Sequence, residues 1–232
     1  GYGKYPRALL NWKAAGLYER LVPGAIRTAV KDSVVPRLPG GLGRLARRSF
    51  LAVPRRPADM FLDNFAGVPL GVQRLLLDAS VLDGTDAYAP SLAYFNRANG
   101  ASGVLDRLLY TDVKTYLVEL LMKQDQMSMS ASVESRVPFL DHVLVEFAAR
   151  LPHRMKLSGL TTKRILREAV RDLVPPGIVT RPKMGFPVPF SGWVRGGWNG
   201  VARDVLLDRR TCQRGLINPA EVTRLLDDHR LG

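Results

Sequence analysis

The sequence predicts a mainly helical chain, and three observations carry that prediction. Apolar residues recur at helical spacing in the second half, at Leu109, Val113, Tyr116, Leu117 and Leu120. Start and stop residues bracket further runs, with Asp141 and Asn218 in capping positions and Pro152 and Pro175-Pro176 as breaks. Convincing period-two alternation is missing, as is any internal repeat.

Taken in order, the first hundred residues read as short, loosely connected helical pieces. Pro36 to Gly43 and Val53 to Pro57 are rich in Pro and Gly and are expected as loops between them. Asn99-Gly100 followed by Ser102-Gly103 marks another break. From Leu105 the apolar stripe runs about five turns without Pro or Gly, the strongest helix signal in the chain. Asp141 then caps a second helix that presents Leu144, Phe147, Ala148 and Leu151 on one face and stops at Pro152. A third is expected to begin near Thr161 or Thr162 and to bury Ile165, Leu166, Ala169, Val170 and Leu173. The fourth opens with Asn218 as cap, Pro219 at the first position and Glu221 three residues after the cap, a capping box in form.

Size and composition bound the rest. A chain of 232 residues can bury one good core or two small ones. Apolar content of 46% and charged content of 24% sit near globular averages, which excludes wholesale disorder. No apolar run approaches the roughly 18 residues that span a bilayer, and Gly1-Tyr2-Gly3-Lys4 is not followed by a signal-type apolar stretch. The chain therefore reads as soluble and cytoplasmic, with no membrane partner. Cys212 has no internal disulfide partner and no local His or Gly signature of a thiol nucleophile, so an ordinary small side chain is favoured there. His142, His153 and His229 are too scattered for a metal-ligand cluster, and no metal site is expected. Residues 1 to 56 carry 12 Lys or Arg against 2 Asp or Glu, so ten of the thirteen excess positive charges lie in that quarter. Such a block can attract nucleic acid, an anionic membrane surface or an acidic partner. No interleaved aromatic pattern accompanies it, which disfavours nucleic acid and leaves a solvated, arginine-rich face.

The segment from Met122 to His142 sets Asp125, Glu134 and Arg136 among residues that otherwise belong indoors. Buried, each charge costs several kcal/mol unless paired or bound to a ligand. Two readings stay open: a scaffold ion-pair network in which Glu134 and Arg136 neutralise one another or Asp125, and a substrate cleft. Lys163 is expected in the first turn of the third helix, where free N–H groups and the helix dipole favour an anion, or is an ordinary exposed helix lysine, the reading the residues alone favour. Lys183, between Pro182 and Gly185, lies in a loop suited to closing over a nucleotide, or is a solvated loop charge. Phe186, Phe190 and Trp193 suit anchoring that loop to a core better than stacking on a base.

Four blocks carry a resemblance: Lys123-x-Asp125-x-Met127-Ser128-Met129, then Glu134-Ser135-Arg136-Val137-Pro138-Phe139-Leu140-Asp141-His142, then Thr162-Lys163-Arg164-Ile165-Leu166-Arg167, then Arg181-Pro182-Lys183-Met184-Gly185-Phe186. In this order they resemble the C-terminal half of the synthetase (ATP-pyrophosphatase) domain of glutamine-dependent asparagine synthetases. The likeness runs from about Tyr110 to Trp193, and Gly1-Tyr2-Gly3-Lys4-Tyr5 resembles the segment that follows the family's acidic Gly-Asp-Gly-x-Asp-Glu loop. Residues 6 to 102 match loosely. The division implied is a basic helical segment over 1–104 and a motif-bearing helical part of the same domain over 105–232.

The resemblance implies the helical part of an α/β PP-loop domain whose sheet, Ser-Gly-Gly-x-Asp-Ser nucleotide loop and N-terminal glutaminase lie upstream of the matched stretch. It implies ATP and Mg2+, with the metal ligands also upstream, and aspartate and glutamine-derived ammonia as co-substrates. A homodimer is an open possibility. Lys163 resembles the lysine that contacts ATP phosphates and stabilises charge as an acyl-adenylate forms and collapses, while Lys183 resembles the family's Arg-x-Lys loop lysine. Asp125, Glu134 and Arg136 would line the cleft between nucleotide and amino acid. Gln126 stands where the family often has Arg, which opens the alternative of another carboxylate or of lactam closure. A chain of this extent is expected to lack activity alone. The rival of a different class is a basic helical module that binds nucleic acid.

Overall fold

The computed structural model describes residues 4–84, 86–98, 103–181 and 188–231. Helix dominates, and the described strands form one two-stranded sheet. Residues group into two compact units, one of Gly1–Phe65 with Tyr88–Lys183 and one of Ala66–Ala87 with Met184–Gly232.

In the first unit, α1 (Lys4–Leu21) buries Tyr5, Ala8, Asn11 and Ala15 along one stripe. The small α2 (Gly24–Ala29) follows, and its last turn widens into a π-helical turn over Val30–Val34. The stretch 36–43 is only partly the loop expected, because α3 (Gly40–Arg47) starts inside it. Gly43 permits this: a Cβ there would sit 2.1 Å from the Leu38 carbonyl oxygen, so only glycine lets the helix fold back so closely. Met60 is fully buried and Phe61 nearly so, both in a second π-helical turn at Ala58–Leu62. Around them gather Tyr5, Ala8, Ala15, Phe95, Leu105 and Leu108. Trp12 and Phe95 meet Phe61 at ring separations of 4.9 and 5.9 Å, in tilted pairs that add to area burial.

The second unit begins with α4 (Leu70–Leu76) and α5 (Ala79–Leu82), the latter capped by the Asp78 carboxylate accepting from Ser80 N. The chain then returns to the first unit through α6 (Ala89–Arg97), α7 (Val104–Lys114) and α8 (Tyr116–Met129).

The long helix expected from Leu105 is therefore two. At Thr115 the backbone leaves helical geometry (φ −124°, ψ −79°), and both Thr111 and Thr115 turn their hydroxyls back onto carbonyls four residues earlier. That back-bonding bends helices, and period counting does not see it.

Beyond α8 come α9 (His142–Arg150), α10 (His153–Lys156), β1 (Leu157–Ser158), β2 (Thr161–Thr162), α11 (Arg164–Ala169) and α12 (Pro176–Thr180). The cap at Asp141 is as expected, its carboxylate accepting from Val143 and Leu144 N–H. The third expected helix is shorter and later: Thr161–Thr162 pair with Leu157–Ser158 in an antiparallel hairpin, and α11 has six residues.

The second unit closes with α13 (Phe190–Arg195), α14 (Trp198–Leu206), α15 (Arg209–Gln213) and α16 (Pro219–Leu231). Val194, Val222 and Leu226 form its core with Leu76, Ala202, Leu207 and Ile217 against them. Trp193 packs on Trp198 at 5.3 Å, and both remain partly exposed. Asn218 caps α16 through Ala220 N and Glu221 N, but the return half of the capping box is not made. Asn218 N–H instead reaches the Leu76 carbonyl at 2.8 Å, and the Glu221 carboxylate takes the Arg224 guanidinium in two hydrogen bonds.

Candidate functional site

Lys163 stands at the N-cap of α11 in the left-handed region, φ 56° and ψ 36°, one step earlier than the first helical turn expected. For a side chain with a Cβ that conformation costs about 1–2 kcal/mol, so the neighbourhood must impose it. Four features do. The β1–β2 hairpin fixes Thr161 and Thr162 from one side. Arg167 N–H donates to the Lys163 carbonyl at 3.0 Å, and Arg167 Nε donates to the Thr162 carbonyl at 3.1 Å. Arg164 reaches back to the Arg154 carbonyl at 3.3 Å. The hairpin itself is moored by Asp106 of α7, whose carboxylate holds His153 Nε2 at 2.6 Å and Lys156 Nζ at 3.2 Å, just before β1. Gly103 makes room for that contact, since a Cβ there would lie 2.8 Å from the His153 ring. Lys163 itself is exposed, with no carboxylate partner among the described residues. A backbone locked by its neighbours with an unspent ammonium at its tip suits a ligand phosphate.

Asp125 lies in the last full turn of α8 and is exposed. The helix ends in a Schellman turn: Val133 N–H bonds the Ser128 carbonyl, Ser132 N–H bonds the Met129 carbonyl, and Ser132 takes φ 58° where glycine is usual. This turn reverses the chain, and Gln124 Nε2 then meets Ser135 Oγ at 3.0 Å. The hydrogen bond draws the segment holding Glu134 and Arg136 alongside the one holding Asp125. Glu134 and Arg136 pair at 2.6 Å, with side chains 65% and 80% exposed. The ion-pair half of the sequence reading is thus realised, without the burial that would have made these charges costly. Ser132 and Lys163 are the non-glycine residues of positive φ among those described, and each lies in or beside a motif block.

Lys183 falls at residues 182–187, outside the described residues, as does Phe186. Among the described residues no group of three or more His, Cys, Asp or Glu is placed to hold a metal ion. Phe190 and Trp193 are exposed at the surface of α13.

Sequence reasoning missed the work of Arg167. Its guanidinium also donates to the carbonyls of Val179 and, at 3.4 Å, Arg181, joining α11 to the end of α12. The available signal was its place four residues after Lys163, on the same helical face.

The asparagine synthase family model matches residues 1–232, and the chain belongs to that family. It is 34% identical over 150 residues to the glutamine-hydrolysing asparagine synthetase 1 of Bacillus subtilis, covering 61% of this chain and 23% of that protein. It is 40% identical over 128 residues to a putative glutamine-hydrolysing asparagine synthetase of Mycobacterium bovis, covering 54% and 19%. The amidase chry2 of Gibberella zeae is 30% identical over 133 residues, covering 49% and 20%. The chain thus spans about a fifth of the length of these relatives. No solved structure gives a significant match.

Proposed function

We propose that this chain is the helical C-terminal part of the synthetase domain of a glutamine-dependent asparagine synthetase. The complete enzyme adenylates the side-chain carboxylate of aspartate with ATP. Ammonia from glutamine then displaces AMP, giving asparagine and pyrophosphate. The observation that carries the reading is the locked left-handed backbone at Lys163, in a chain matched by the family over its whole length.

In this scheme Lys163 donates hydrogen bonds to phosphate oxygens and offsets the negative charge that accumulates as the acyl-adenylate forms and collapses. Lys183 adds a second cation to the same phosphates, and Asp125, Glu134 and Arg136 border the aspartate. By the family likeness the Mg2+ ligands are expected upstream of the matched stretch, and no step is routed through the ion here. The sheet and nucleotide loop of the PP-loop fold belong to the same outside part. A cytoplasmic location agrees with such a biosynthetic role, and among the described residues no helix is long and apolar enough to cross a membrane.

In the full-length protein, Lys163→Ala is expected to lower aspartate-dependent pyrophosphate release by about 100-fold or more, a few kcal/mol of transition-state stabilisation. Parental turnover in that variant overturns the assignment.

A second reading, amidation of another carboxylate or lactam closure, is favoured by the exposed Gln126 where the family often has Arg, and by the likeness to an amidase. A panel of carboxylic acids in the pyrophosphate assay separates the two.

The nucleic-acid reading loses support from how the arginines of residues 7 to 56 are used. Arg7 lies over Phe65, Arg55 lies over Trp12 and donates to its carbonyl, and Arg48 donates to the Asn64 carbonyl. These cations pack their own unit.

A further inference from the structure

We propose that Arg167 is a positioning residue for amide synthesis, acting by fixing the backbone conformation of Lys163; this rests on the role of Lys163 proposed above. The carbonyl of Thr162 lies in the plane before the Lys163 Cα, and the carbonyl of Lys163 lies in the plane after it. The Arg167 side chain holds the first through Nε at 3.1 Å, while the second is held by the backbone N–H of residue 167 at 3.0 Å, a helix bond that any residue there but proline supplies. The arginine's own contribution is therefore the restraint on the plane before Lys163, which limits φ there.

The rest of the guanidinium is spent on anchorage. Nη1 donates to the Val179 carbonyl and Nη2 to the Arg181 carbonyl at 3.4 Å, so the group that holds Lys163 is itself held by α12. Its side-chain acceptors are neutral carbonyls in three separate directions, and the residue is half-buried. Only a planar fork with several donors can serve such a set. A lysine ammonium is a single point and cannot span it.

Without the Arg167 side chain the Thr162 carbonyl loses its side-chain donor, and with only the hairpin and its moorings left the left-handed residue can relax toward ordinary helical geometry. The ammonium would then leave its present direction, out of register with a bound phosphate while every other contact of the ligand persists. The expected signature is a loss in kcat at little change in KM for aspartate.

The test uses the full-length synthetase with ammonia as nitrogen donor, reading pyrophosphate release for Arg167→Ala, Arg167→Lys, Lys163→Ala and the double variant Arg167→Ala/Lys163→Ala. Arg167→Ala is expected to lower kcat by about 100-fold, the scale of an ångström-sized misplacement. Arg167→Lys should stay impaired, while added guanidinium ion should restore part of the rate of Arg167→Ala. In the Lys163→Ala background the second substitution should cost nothing further in kcat, because the group it positions is gone. A merely structural role predicts instead that the two losses multiply and that guanidinium ion rescues nothing.

Parental kcat in Arg167→Ala or in Arg167→Lys overturns the inference, as do multiplying losses. Should Arg167→Ala fail to fold, Arg167→Lys decides alone. Parental kcat in Lys163→Ala has a different meaning, since it removes the role of Lys163 itself.

Discussion

At the scale of single residues, geometry and charge make separate claims on the candidate site. The Glu134–Arg136 pair is so exposed that its contribution to folding is small; such pairs add about 0–1 kcal/mol. Glu134→Gln is therefore expected to change stability by under ~1 kcal/mol, while lowering pyrophosphate release if the carboxylate borders aspartate. Calorimetry and turnover on the same variant check both halves. A large stability loss with normal turnover would place Glu134 in the scaffold alone.

Elsewhere two carboxylates record the cost of acid. The Arg224 guanidinium beside Glu221, and the Ser80 N–H and hydroxyl beside Asp78, hold these groups below the usual carboxylate range. A depressed folded-state pKa stabilises above the unfolded value, near 4 for a carboxylate, and that support is lost as pH falls from there through the folded value. Both groups belong to the second unit. Its melting temperature, followed by Trp193 and Trp198 fluorescence in a Trp12→Phe background, should hold steady from pH 8 to about 5 and fall below roughly 4. A fall between pH 8 and 6 would point to a different titrating group.

Among elements, legibility followed locality. The caps at Asp141 and Asn218 were readable because a cap needs only its own first turn. The boundary at Thr115 was not, since threonines that bond back to carbonyls leave the apolar period intact. Nor was the hairpin at 157–162, where two-residue strands are too short for alternation to register. Lys163 was singled out by its motif, but its left-handed backbone follows from the hairpin before it and from hydrogen bonds of Arg167 and its neighbours, which no pattern at position 163 encodes. Asn218 offers a quantitative check on the readable part. Asn218→Ala removes two side-chain hydrogen bonds from the start of α16 and should cost about 1 kcal/mol, seen as a lower denaturant midpoint with an unchanged slope. The Asn218 N–H to Leu76 bond is backbone and survives the change.

For the whole molecule, helical spacing and the missing period-two alternation gave the correct class, a mainly helical chain. Compactness was less accessible. The division at 104/105 follows the break at 99–103 and the loose match before it, whereas the compact units interleave, with residues 66–87 grouped with the C-terminal stretch. Amphipathic period reports that a face is buried and is silent about which distant segment covers it. Met60 shows the weight of the core so assembled: fully buried among aromatic rings, it should cost about 2–5 kcal/mol when changed to Ala, measured by thermal unfolding.

The bridge between Leu77 and Ile217, flanked by hydrogen bonds from Asp78 N–H to Leu216 and from Asn218 N–H to Leu76, carries a consequence in time. Its halves are 140 positions apart in the chain, which at roughly 5–20 residues per second means a wait on the order of ten seconds during translation. Through that interval Leu76 and its neighbours leave the ribosome without the strand partner and helix they finally pack against. A nascent chain stalled before Ile217 should accordingly be cut by protease near residues 66–87, and gain protection there once α16 has emerged.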